Sequence, residues 1–186
     1  MTKGCYGYLR RQKKIEIIRT ILYFAVSLAI FIMGYLSTGT KANLLTIVAV
    51  LGSLPASKSM VSMIMYLKAD GCSPDCHAMA QSVESGDTLL FYDLYLTSYR
   101  NNFQISIMAV KNNTVCGCTE DDKCDLAAGE KHISEILQQS GYGGVTVKLF
   151  DNREKFRERL TALCAAQEKT QEKDEAVAQV IKDISL

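Results

Sequence analysis

Seven cysteines in a chain of 186 residues include two tight groups, Cys72-x3-Cys76-His77 and Cys116-x-Cys118-x5-Cys124. Thiolate and imidazole are the usual ligands of zinc, and a structural zinc takes four of them in a tetrahedron. Cys72, Cys76, Cys116, Cys118 and Cys124 are therefore the candidate metal ligands, with zinc as the candidate cofactor. Neither group has the C-x2-C spacing of a zinc ribbon, and some 40 residues separate them, so only the fold can unite them. The plain alternative is reduced thiols acting as small, soft core residues. A third is thiol redox chemistry at Cys116 and Cys118, which needs a thiol of lowered pKa. Disulfides are not expected in a reducing compartment and would return to contention outside one.

Three other places carry charge where chemistry could use it. Asp93 lies among apolar neighbours in what reads as a central strand, where a buried carboxylate needs a partner. Asp121-Asp122-Lys123 combines carboxylates with an amine, a set that can hold Mg²⁺ and polarise a phosphate, although it falls in a polar loop. Lys58 sits inside a long apolar run, where a charge is costly and marks a polar site by default. The two histidines, His77 and His132, are far apart in sequence, and His132 borders an apolar helical stripe. Neither has the company a catalytic imidazole needs. The chain has no Gly-x-Ser-x-Gly, no P-loop and no Gly-x-Gly-x-x-Gly after a strand. Gly141-Tyr-Gly-Gly144 reads as a helix C-cap and turn.

The elements that must position these residues begin with two apolar runs, Ile17–Leu36 and Leu44–Leu67, joined by the polar link Ser37–Asn43. About 20 apolar residues in a helix match a hydrocarbon core of about 30 Å. Backbone in lipid must satisfy its own polar groups, so both runs should be helices forming an antiparallel hairpin. Lys3, Arg10, Arg11, Lys13, Lys14 and Arg19 flank the first run, whereas the link offers only Lys41. Cations are retained on the cytoplasmic side. This predicts a multi-pass protein of the cell (inner) membrane with both termini cytoplasmic. A cleaved signal shares the basic-then-apolar form. Against it stand the length of the run, the second run that follows, and the absence of a small-x-small cleavage site in Gly34–Gly39. Within the second run, Pro55 removes a backbone hydrogen bond. Gly52, Ser53, Ala56, Ser57 and Ser59 suit close helix contact. Lys58 either snorkels to the interface or forms a polar site in an oligomer.

After the hairpin, Ser73-Pro74 reads as the start of a helix running to Glu84 and stopping at Gly86. Thr88–Thr97, Phe103–Val110 and Thr114–Cys118 read as strands, with Asn112-Asn113 as the turn between the last two. Glu130–Gln139 reads as an amphipathic helix and Val145–Phe150 as a strand. Asp151 and Glu154 form a capping-box pattern for a further helix through Phe156, Leu160 and Leu163. The charged segment from Glu168 repeats apolar residues at Val177, Val180, Ile181 and Ile184, a helix with one sticky face suited to a coiled-coil-like contact. The expected organisation is a basic arm (1–16), a two-helix transmembrane hairpin (17–67), a small cytoplasmic α/β (α+β) domain (72–166) of order α-β-β-β-α-β-α, and a charged helical tail (167–186).

From Pro74 to Phe150 that order of elements resembles the core of the restriction-endonuclease-like nucleases. The resemblance implies a metal site built from an acidic residue opening the second strand and a D/E-x-K on the third. Here the second strand opens with Phe103-Gln104, and the nearest D-x-K, Asp121-Asp122-Lys123, is in the loop.

Net charge is +1, with the excess of cations in the N-terminal arm. The arm can meet anionic headgroups at about 1 kcal/mol per cation. No basic patch interleaved with aromatics lies outside it, so nothing points to nucleic acid. The reading is a membrane-anchored, non-catalytic interaction or sensor domain, with the bilayer, a second copy or another protein as partners. The alternatives are a metal-dependent enzyme with a nuclease-type core acting through Asp93 and Asp121, and a zinc- or thiol-binding domain.

Overall fold

The computed structural model describes residues 2–84, 88–98, 101–166 and 172–186. The helix stop expected at Gly86 and the helix start expected at Glu168 lie outside them. Among the described residues the protein has an α+β fold of six helices and a four-stranded mixed sheet, in two compact units. One unit is Arg10–Ala69; the other combines Met1–Leu9 with Asp70–Leu186.

The first unit holds α1 (Tyr8–Thr38) from Arg10 onward and α2 (Leu44–Lys68). Each helix is long and apolar enough to cross a membrane, with an 18-residue stretch of mean hydropathy 2.1 in α1 and 1.6 in α2. Asn43 caps α2 by accepting the Thr46 N–H at 2.8 Å. The two helices meet through small and hydroxyl side chains. Thr20 and Ser59 hydroxyls are 2.9 Å apart, and Ser27 Oγ donates to the Ala49 carbonyl at 2.7 Å. Ala56 is fully buried at this seam, the small-residue contact that membrane helices favour. Most of the large apolar side chains of both helices are exposed, among them Ile18, Leu22, Leu28, Leu44, Leu51 and Val61.

In the second unit the sheet order is β1 (Leu89–Thr97), β2 (Asn102–Lys111), β3 (Thr114–Cys118), β4 (Thr146–Phe150). The first three run antiparallel and β4 runs parallel to β3. Asn112 and Asn113 both have positive φ, 50° and 53°, as a two-residue hairpin turn matching strand twist requires. Asp174 of α6 (Glu172–Ile184) accepts both their N–H groups. One sheet face is covered by α4 (Leu126–Gln139) and α6 through Ile133, Leu137, Val177, Ala178 and Ile181. The apolar face of the terminal helix is thus used inside the unit, not held out for a coiled-coil-like contact. The other face is covered by α3 (Pro74–Val83) and α5 (Arg153–Ala165) through Cys76, Ala80, Phe156, Leu160 and Leu163.

Several boundaries differ from the sequence pattern for local reasons. Helix α4 begins four residues early because Asp125, not a residue near Glu130, accepts the Ala128 N–H as N-cap. Helix α5 is capped by Asn152, one residue after Asp151, with Oδ1 accepting from Glu154 and Lys155. Strand β1, expected to be central, is a sheet edge. Its outer rim is closed by the chain ends. Tyr92 N–H donates to the Gly4 carbonyl at 2.8 Å, Leu186 N–H to the Tyr95 carbonyl at 3.0 Å, and Lys3 Nζ to the Ser185 carbonyl at 2.6 Å. The start of the basic arm is therefore a folded part of this unit, which protects an edge that would otherwise invite pairing.

Candidate metal centre

The site grows from a change of face in the sheet. Along β1, Leu90 and Tyr92 point to the α3/α5 face and Phe91 to the α4/α6 face. Strict alternation would put Leu94 and Leu96 with Tyr92, yet both pack with Phe91. Strand β2 makes the same change, since Phe103 and Ile105 share the face of Met108 and Val110 while Ile107 and Ala109 take the other. The register is the same on either side, Tyr92 opposite Ile107 and Leu94 opposite Ile105, but Asp93 and Ser106 do not pair. The change falls on Asp93 and Ser106, which stand between those pairs. Asp93 takes φ 56°, a left-handed conformation costing about 1–2 kcal/mol for most residues and tolerated by Asp. It is 2% exposed. Oδ1 accepts the Cys72 N–H at 2.6 Å, while Oδ2 has no hydrogen-bond partner among the described residues. A strained, buried, half-satisfied carboxylate in a strand is the kind of outlier that collects at functional sites.

Beside it lies the start of α3. Ser73 is the N-cap, its Oγ accepting the Cys76 N–H at 3.2 Å, and Pro74 opens the helix. Cys76 therefore stands in the first turn, where unpaired N–H groups favour negative charge. Glu120, two residues past Cys118, reaches the same turn and accepts from Ser73 N–H at 2.9 Å and Ser73 Oγ at 2.7 Å. Arg153, the first residue of α5, pairs with its Oε1. Ligand atoms of Cys72, Cys76 and Glu120 all lie within 4.8 Å of one another. Cys118 packs in the same buried cluster, its sulfur donating to the Thr119 carbonyl at 3.8 Å, and adds a third thiol beside that group. None of the seven cysteines, all within the described residues, is in a disulfide.

Electrostatics sort these groups. Hydrogen bonds from Cys118 and then Cys72 hold the Cys76 sulfur well below the usual thiol range, against burial. The same bonds, together with burial, push Cys72 and Cys118 up. Burial works to raise Glu120, but the Ser73 donors and Arg153 outweigh it and keep the carboxylate ionised below its ordinary value. Of the three sulfurs, Cys76 is the one whose ionised form its surroundings favour, and a bound metal would ionise the others in turn. Tetrahedral zinc with sulfur at about 2.3 Å needs ligand atoms about 3.8 Å apart, a contraction of at most about 1 Å among Cys72, Cys76 and Glu120.

Of the five cysteines singled out by spacing, the structure brings together Cys72, Cys76 and Cys118. Cys116 is fully buried on the same face beneath α5, where burial pushes its thiol up to about 12, with Arg159 and Cys164 as its charged or ionisable neighbours. Cys124 packs at the rim of the opposite, aliphatic face. His77 does not join the thiols: its ring stacks on Tyr6 at 3.9 Å and leans on Tyr92 at 4.9 Å. His132 leans on Phe103. Asp121 closes a local turn by accepting the Lys123 N–H at 3.0 Å, and neither it nor Asp93 belongs to the ligand group of Cys72, Cys76 and Glu120. Strand β3 reads Thr-Val-Cys-Gly-Cys, so the acidic residue and lysine of a nuclease third strand are absent from it. Lys58 is exposed on α2 and lines a cleft with Glu16, Arg19 and Tyr23. Sequence reasoning missed Glu120, Ser73 as its partner, and Arg153. The available signal was the i+2 spacing of Cys118 and Glu120. No known protein family, curated protein or solved structure matches this chain.

Proposed function

We propose that this protein is a membrane-anchored sensor whose cytoplasmic α+β domain holds zinc, or a similarly soft divalent metal, on Cys72, Cys76, Cys118 and Glu120. The observation that carries this reading is the convergence of Cys72, Cys76 and Glu120 within 4.8 Å, with Cys118 buried in the same cluster. Three sulfurs and one carboxylate suit zinc and disfavour Mg²⁺, which takes oxygen ligands. Four protein ligands would leave no open position for substrate, so the role is structural or sensory and not catalytic. The metal would tie the start of α3 to the end of β3 and, through Glu120 and Arg153, to α5. Occupancy would thereby set how firmly α3 and α5 are held, which is what a second copy or a protein partner would read.

The anchor is the hairpin of α1 and α2. Its exposed apolar side chains support burial in lipid, and the cations before Thr20 support an inner-membrane protein with both termini in the cytoplasm. The test is metal content of the full chain, extracted in mild detergent under reducing conditions without chelator. About one zinc per chain is expected, lost in Cys76→Ser and Cys118→Ser and kept in Cys124→Ser. Absence of metal in the unaltered chain, or its equal loss in Cys124→Ser, would contradict the assignment. A reporter fused after Leu186 that works only outside the cytoplasm would overturn the orientation.

A further inference from the structure

Within the unit of α1 and α2, Glu16, Arg19, Tyr23, Pro55, Lys58 and Ser62 line a cleft of about 240 Å³. Arg19 spends Nη1 on Glu16 at 2.7 Å, and Glu16 is itself buried at 5% exposure. No hydrogen bond or ion pair engages Lys58 Nζ among the described residues. Ser59 is turned to Thr20, which leaves the Tyr23 and Ser62 hydroxyls beside the two cations. One carboxylate and two cations give the cleft a net charge of +1.

Depth decides what meets that charge. The Thr20–Ser59 contact marks the level of the cleft on both helices. From Thr20 to the end of α1 at Thr38 is 18 residue rises, about 27 Å of helix. That length is nearly the whole hydrocarbon core. With the 39–43 link at one interface, the cleft stands at the other, at headgroup depth and not at the midplane.

We infer that this cleft binds the phosphodiester of a membrane phospholipid, with Lys58 and Arg19 as its cations and Tyr23 and Ser62 as hydroxyl donors. Glu16 holds the Arg19 guanidinium at the cleft and reduces two positive charges to the one that a phosphodiester balances. A paired guanidinium and an ammonium give charge-assisted bonds to phosphate oxygens. Lys58 then has a partner in the membrane, and its place in an apolar helix has a reason beyond snorkelling.

The inference rests on α1 and α2 spanning a bilayer, so the test separates the two. Alkaline carbonate extraction of membranes carrying the full chain should leave it in the pellet; release would overturn the membrane reading and this inference with it. The detergent-solubilised chain is then titrated, by native mass spectrometry, with phosphatidylglycerol, with diacylglycerol of the same acyl chains, and with inorganic phosphate. Phosphatidylglycerol should bind, diacylglycerol should not, and inorganic phosphate should not displace the lipid. Lys58→Ala should weaken lipid binding about fivefold or more, the effect of one surface cation, and Lys58→Arg should restore it. Lys155→Ala, which removes an exposed cation of the other unit, should change nothing. Equal binding of diacylglycerol, or a Lys58→Ala effect no larger than that of Lys155→Ala, would overturn the site. Displacement by inorganic phosphate would replace the lipid with a free anion.

Discussion

The two faces of one sheet are built on different terms. On the α4/α6 face, Leu94, Leu96, Ile105, Met108, Ile133, Leu137 and Ile181 are all buried to within 1%. Their neighbours are almost entirely aliphatic or aromatic. On the α3/α5 face the same depth of burial is spent on Cys72, Cys76, Cys116 and Cys118, with Asp93 set against Cys72. A core that served only stability would fill that space with branched side chains, each worth about 1.5–3 kcal/mol when buried. Thiols give less of that and leave soft donors side by side. The aliphatic face is packed as a conventional core, and the thiol face carries the donors on which we propose that a metal sits.

Substitutions should separate the faces, beginning with the largest effect. Ile181→Ala empties a fully buried position on the aliphatic face and should cost about 2–5 kcal/mol. Thermal melts of the full chain in detergent should show the loss equally with and without a zinc chelator; a chelator-dependent loss would merge the two faces. Gly117→Ala should come next. Its methyl would stand 2.8 Å from Leu149 Cδ2 and 3.1 Å from Ile105 Cγ2, an overpacking cost of about 1–3 kcal/mol. Gly143→Ala, with nothing within 4 Å of its added carbon, is the neutral companion.

On the thiol face the effects should be smaller in stability and larger in metal retention. Ser73→Ala removes the α3 cap and a donor to Glu120, at about 1 kcal/mol. Faster hydrogen exchange should be confined to the first turn of α3, and metal should be held more weakly. If exchange rose across the whole sheet instead, the face would not be locally built. Asp93→Asn should have the smallest effect. Asn tolerates the left-handed backbone and removes a buried charge that is only half satisfied, so the chelated protein should gain up to about 1 kcal/mol. A marked loss would mean that the carboxylate has a partner beyond Cys72 N–H.

The contrast between the faces was only partly visible in the sequence. Ser73-Pro74 and Asn112-Asn113 declare themselves through local backbone chemistry, and the apolar runs of α1 and α2 through composition alone. The change of face at Asp93 and Ser106 left no trace. Leu89 to Leu96 is apolar at every position but Asp93, so there was no polar alternation to shift phase. Cap positions moved by one to a few residues because Asp151 and Asn152 are both competent caps, and only the tertiary path selects between them. Sequence proximity grouped Cys116 and Cys124 with Cys118. Residues two apart on a strand share a face, whereas Cys124, beyond the β3 loop, returns on the opposite face of the sheet. Glu120 was passed over because a single acid after a strand has no motif; it became visible once α3 was seen to start against it.

The most direct test of the metal assignment is the visible absorption spectrum of the cobalt(II)-loaded full chain, measured for the unaltered protein and for Cys118→Ser and Cys116→Ser. Three sulfurs and a carboxylate predict intense tetrahedral d–d bands and a thiolate-to-cobalt charge-transfer band, with the charge transfer reduced in Cys118→Ser and unchanged in Cys116→Ser. A weak spectrum like that of the hydrated ion, or bands that disappear with Cys116 and persist without Cys118, would contradict it.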